Sequence, residues 1–318
     1  MRSSVRLLVP LYLMLGACMP VSPSDTAATR AAGVDGSSAL PPMKSFAVPR
    51  PQAPVASNSD IARDFLDLAF TLESGRPLPV LTRFEAPISV RVTGAPPSSL
   101  VPDLRRLIHR LRNEAGIDIA LTDAPAANIT VQAVSRSEIR SALPQAACFV
   151  VPNVSSLAEY RSKRRSREVS WTALRSRERL AIFLPNDSSP QEVRDCLHEE
   201  LAQAIGPLND LYRLPDSVFN DDNVHTVLTG YDMLILRLMY APELQSGMTR
   251  RQVAEVLPAL LARMNPGGEG IAPKRLAKTP RVWIEAVETA LGPGANPAQR
   301  RTAAIEALKV ASAMGWTD

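Results

Sequence analysis

Residues 189–206 constrain this chain more than any other stretch. Ser189 is followed at once by Pro190 and three residues later by Glu192, a pattern that predicts a helix N-terminus with a capping box and proline in the first helical position. Gly206 and Pro207 predict the end of that helix, with Gly206 expected in the left-handed conformation. Between these signals Val193, Leu197, Leu201 and Ala204 recur at helical spacing and form a stripe that has to be buried. Glu200 projects roughly 20° from the centre of that stripe on a helical wheel. A carboxylate there costs several kcal/mol if it is buried alone, so it must be hydrogen-bonded or protonated. Glu199 and Gln203 are four residues apart and share another face, beside Cys196.

The rest of the chain supplies a sheet for this helix. Ile88 to Val92, Ile117 to Leu121, Ile129 to Val134, Ala147 to Val151 and Leu180 to Leu184 read as strands. Helices are predicted over Ile61 to Glu73 and over Val101 to Glu114, the latter ended by Gly116. The expected class is α/β, a mixed sheet packed on helices. Five cations fall within Arg161 to Arg167; they suit anionic lipid headgroups or simply a solvated loop. Beyond residue 240, Thr249 with Gln252 opens a helix expected to kink at Pro258, Gly267, Gly268 and Gly270 form a linker, and helices follow over Val282 to Leu291 and from Asn296 to Met314. Trp283 and Trp316 read as packing residues.

The 318 residues suit about two domains, and 45% apolar against 21% charged residues is enough to build a core. A net charge of +4 gives no footprint of a nucleic-acid binder. Arg2, Arg6 and the apolar run Leu7 to Leu15 have the form of a secretory signal, too short to span a bilayer. The run ends in Leu15-Gly16-Ala17-Cys18, which resembles a bacterial lipobox; the alternative is an ordinary signal peptide that contains a cysteine. The resemblance implies a signal over 1–17, acylation of Cys18 and outer-membrane sorting, since Met19 rather than Asp follows the cysteine. Loss of Arg2 and Arg6 takes the net charge from +4 to +2. Cys148 and Cys196 then remain, and in an oxidising compartment an even pair is most simply a disulfide, the alternative being two buried thiols. Residues 18–58, rich in Pro, Ser and Ala, read as a disordered tether, followed by a domain over 59–240 and a helical extension over 241–318.

From Glu199 to Asp210 the chain resembles the metzincin zinc-peptidase signature, H-E-x-x-H-x-x-G-x-x-H. Glu199, Gln203 and Asn209 stand where that family has its three histidines, Glu200 at the general base and Gly206 at the turn. Ser217-Val218-Phe219 resembles the turn beneath the metal, with Phe219 in place of methionine, and Asp232 to Tyr240 resembles the following helix. The resemblance spans about residues 85–240 and implies a zincin-like fold. The pattern is also similar to that of a family of bacterial lipoproteins of unassigned function. All three imidazoles are absent. One carboxylate and two neutral amides hold zinc poorly, so no metal and no cofactor are expected. The amides can instead hydrogen-bond a carboxylate, which predicts a proton-linked cluster of Glu199, Gln203 and Asn209. A competing register from His198-Glu199 fails at Ala202, and His109 and His225 read as structural or surface residues. Asp210, Asp221 and Asp222 read as loop caps.

These features imply an envelope lipoprotein, anchored by its N-terminal lipid and facing the periplasm, with a non-catalytic binding or scaffold domain. Its partner would be an envelope protein or peptidoglycan. The alternatives are a hydrolase that uses Glu200 with a non-standard metal or none, and a structural tether to the cell wall.

Overall fold

The computed structural model describes residues 28–31, 54–214, 217–220, 227–274, 280–292 and 294–313. Residues 1–27, most of the expected tether, Asp221, Asp222, His225 and Trp316 lie outside them.

Five strands build a mostly parallel sheet: β2 (Ile88–Gly94), β3 (Ile119–Leu121), β4 (Ile129–Val134), β5 (Ala146–Pro152) and β6 (Leu180–Pro185). A short strand, β1 (Ala28–Ala31), adds to its edge, giving the order β1-β5-β6-β4-β2-β3. β3, β2, β4 and β6 run parallel, with Val131 opposite both Val92 and Ile182, while β5 runs antiparallel to β6 and to β1. Near-continuous apolar sequence in β4, β5 and β6 reflects burial on both faces.

The pleat sends alternate residues to two cores. Cys148, Val150, Ile182 and Leu184 join the larger core with α1 (Asn58–Ala69), α2 (Leu100–Ala115), α5 (Pro190–Ile205), α6 (Gly230–Met239) and α7 (Arg250–Met264). Phe149, Val151, Ala181 and Phe183 face the opposite way, onto α3 (Arg136–Ala142) and α4 (Leu157–Lys163). There the rings of Phe149, Tyr160 and Phe183 lie at centroid distances of 4.8–6.3 Å. The apolar face of α7, with Val253, Leu257, Leu260 and Leu261, belongs to the larger core and packs beside α1.

Several expectations need adjustment. The first helix ends at Ala69 rather than Glu73, because Phe70 caps it and Thr71 turns to bridge Pro77. Helices α3 and α4 arise in stretches read as non-helical. Each is a single element of 7 residues with two buried residues, too short to show an apolar period. Part of the basic run is thus helical, since α4 covers Arg161 and Lys163. Strand β1 puts ordered backbone inside the segment expected to be a tether. The helix with Pro258 runs through that residue from Arg250 to Met264. At the C-terminal side α8 (Arg281–Leu291) and α9 (Pro297–Ala313) form a hairpin. Trp283 is buried edge-on against Tyr212, the ring centroids 4.9 Å apart, as a packing residue should be. No helix among the described residues is long and apolar enough to cross a membrane.

Candidate functional site

Helix α5 forms for the reasons its sequence predicts. The Ser189 hydroxyl accepts from the Glu192 N–H, and Pro190 occupies the first turn. The capping box is only half made, because the Glu192 carboxylate turns away to pair with Arg136 of α3. The buried stripe anchors α5 to the sheet, and Cys196 is joined to Cys148 of β5, with Cα atoms 6.0 Å apart.

Gly206 ends the helix in a different way from the one expected. Its φ is −127° and its ψ −145°, so it is not left-handed. Its value lies in close approach: a Cβ here would sit 2.5 Å from Leu236 Cδ2 of α6 and 2.8 Å from the Ala202 carbonyl oxygen. Glycine therefore lets α6 pack onto the end of α5. Gly206→Ala should lower the unfolding free energy by about 1–3 kcal/mol, as overpacking does, and urea denaturation would measure it.

The residues at the expected ligand positions are buried rather than presented to a cleft. Glu200 and Gln203 are 0% exposed, Asn209 is buried and Glu199 is half-buried. Gln203 Nε2 donates to Glu73 Oε1 at 3.1 Å, just past the end of α1, and Asn209 Nδ2 donates to the Asp67 carbonyl within α1 at 3.1 Å. Both amides thus tie the α5 corner to α1, and the described bonds run outward to that helix rather than from one amide to the other. Beside them Arg213 bridges Asp64, at 2.8 Å, and Asp67. Tyr231 donates to Asp64 at 3.3 Å, and burial holds the Asp64 carboxyl above its usual range while Arg213 pulls it down.

The Ser217-Val218-Phe219 turn is held by a residue not singled out as its partner, Asp232. Asp232 Oδ1 accepts from the Ser217 hydroxyl at 2.6 Å; Oδ2 accepts from the backbone N–H of Thr229 at 2.7 Å and of Val218 at 3.2 Å. Ser217 Oγ accepts in turn from the Phe219 N–H at 3.0 Å, and the Phe219 ring is fully buried. Burial pushes the Asp232 carboxyl up to about 6, against the pull of these donors. A Thr229-x-x-Asp232 capping box was there to be read in the sequence and marks the start of α6.

Two buried arginines, also missed, close the same corner. Arg177 Nη1 donates to the Gln203 and Ala204 carbonyls at 2.7 and 2.8 Å, satisfying the last turn of α5. Its guanidinium lies 5.2 Å from the Trp171 ring centroid, and burial pulls its pKa down to about 10. Arg83 Nη1 does the same for α6, donating to the Met239 and Ala241 carbonyls at 2.9 and 3.0 Å. The Tyr240 hydroxyl then donates to the Ile205 carbonyl, joining the two helix ends.

The chemistry of the donor set does not suit zinc. It comprises one half-buried carboxylate and two neutral amide oxygens, which are weak donors to zinc and leave too few charged ligands for a tight calcium site. Among the described residues no three His, Cys, Asp or Glu side chains form a group suited to a metal ion. His198 points elsewhere: its Nδ1 accepts from the Leu228 N–H at 3.2 Å, and burial with nearby Arg110 and Arg194 pulls its pKa down to about 3. It is a neutral structural histidine. His109 sits on α2 with Asn113 2.9 Å from its ring.

A model of a protein family described as "protein of unknown function (DUF2927)" matches residues 58–259. The match begins with α1 and ends within α7, so it covers all of the larger core's helices except the last residues of α7. Comparison with curated proteins and with solved structures gives no match.

Proposed function

We propose, from the premise that this chain belongs to the DUF2927 family, that it is a lipid-anchored envelope protein whose α/β domain is a non-catalytic, degenerate metzincin-like binding or scaffold module. The observation that carries the reading is the bond from the fully buried Gln203 to Glu73, an exposed residue just past the end of α1. In the metzincin-like register Gln203 occupies a ligand position, and here its amide serves to hold helix α1 against α5. A hydrogen-bonded junction replaces a metal-linked one, and the corner keeps its shape without a reacting atom. The covalent tie between Cys148 and Cys196 fits an oxidising compartment, as the lipobox-like Cys18 does.

The test is elemental analysis of the purified full chain, with cleavage assays on a peptide library and on peptidoglycan. The expected result is no stoichiometric metal and no cleavage, with envelope proteins or sacculi retained on the folded domain. One equivalent of metal together with cleavage that disappears in Glu200→Gln would overturn the reading in favour of a hydrolase.

A further inference from the structure

The excursion between β5 and β6 is rigid at its base and cationic at its tip. Arg179 of its return limb is bound to the Asn153 carbonyl and to Glu159, and Asn153 Nδ2 donates to the Glu168 carbonyl at 2.6 Å. Leu157 and Tyr160 sink into the second core. Between Glu159 and Glu168 lie five cations, leaving three in excess over the two carboxylates. Lys163 is neutralised by Glu159 and Glu168, at 3.3 and 3.0 Å. Arg164, Arg165 and Arg167 are exposed, and no ion pair is described for them. A folded excursion thus displays three guanidiniums on the sheet face opposite α5.

Strand β1 places Ala28 beside the base of this excursion. Ala28 pairs with Val150, so the chain reaches the sheet at the end of β5 from which the excursion departs. Asn153, which holds Glu168, lies only three residues beyond Val150. Ten residues separate Cys18 from Ala28, a span of at most about 35 Å when fully extended. An acylated Cys18 would hold Ala28, and with it the base of the excursion, within that distance of a bilayer.

We propose that Arg164, Arg165 and Arg167 form a docking surface for a membrane leaflet that carries anionic phospholipid headgroups. The inference rests on the anchored reading above for its biological setting, but the surface itself can be tested without the anchor. Guanidiniums near an anionic leaflet each raise partitioning by roughly fivefold, and the attraction falls with salt. The turn would orient the domain so that the α5 corner, on the opposite sheet face, looks away from the lipid.

The experiment uses the mature chain, residues 18–318, with Cys18→Ser, which has no acyl group, and sedimentation with vesicles of phosphatidylcholine alone or mixed with phosphatidylglycerol. Binding should appear only on the mixed vesicles, fall at high salt, and drop on the order of 100-fold in Arg164→Ala/Arg165→Ala/Arg167→Ala. The corresponding triple lysine variant should retain it, and an unchanged melting temperature shows that the alanine variant is folded. Equal binding to both vesicles, no binding to either, or undiminished binding by the alanine variant would each overturn the proposal. Fatty-acid labelling of the unmodified chain is read separately; a negative there removes the anchor and leaves the vesicle result intact.

Discussion

Asp232→Ala should lower the unfolding free energy by about 3–5 kcal/mol, the cost of stripping a buried acceptor from several donors at once. The substitution strands the N–H groups of Val218 and Thr229 and the Ser217 hydroxyl, two of the three on buried residues. Asp232→Asn should cost far less, because its oxygen can face the two N–H groups while its amino group meets the Ser217 oxygen. The two variants also differ in pH response. The Asp232 pKa is raised to about 6 in the folded chain against 3.8 for the ordinary carboxyl, so protonation favours the folded state. That contribution, up to about 3 kcal/mol for a shift of this size, is fully present below pH 4 and lost as pH rises through about 6. Stability from urea denaturation should therefore fall between pH 4 and pH 7 in the native chain, with a flatter profile in Asp232→Asn. An Asp232→Ala loss under about 1 kcal/mol would show that the turn is not held by this carboxylate.

Removal of the Cys148–Cys196 link is the other large effect. The link closes a loop with a sequence separation of 48, and chain-entropy arguments assign such a closure about 4 kcal/mol. Cys148→Ser/Cys196→Ser should lose that amount in urea denaturation. The reductant-treated native chain should follow the double variant, and reductant should leave the double variant unchanged. Both sulfurs lie in the larger core at 0% exposure, so reduction should require partial unfolding first. A native chain equally stable with and without reductant would mean that the two cysteines are not joined.

These elements differ in how openly the sequence announces them. Strand β4 coincides with its predicted limits, and β6 and α2 fall within a residue or so, because apolar runs and a terminal Gly116 at φ 70° leave little choice. The burial of Glu200 was legible from its place on the helical wheel. The short α3 was not, since Ile139 and Ala142 alone make no period, though its Ser135–Glu138 capping box is a local signal. Gly206 was identified, but for the wrong reason: a sequence cannot say that Leu236, 30 residues on, will press against it. Arg83 and Arg177 were invisible for the same cause. Their partners are backbone carbonyls 156 and 26 residues distant, and carbonyls carry no sequence identity. The amide positions show both limits. Gln203 and Asn209 were singled out by spacing, whereas their partners Glu73 and Asp67 come from around α1, which lies outside the resembling stretch.

The placement of β1 has a mechanical consequence. A tug on the chain ahead of Ala28 is delivered first to a four-residue edge ladder, and only afterwards to β5. That ladder is the weakest link in series and would peel off before its neighbour is loaded. Once β5 does take the strain, the sulfur bridge hands it to α5, so the corner that ties α5 to α1 is shielded only while that fuse holds.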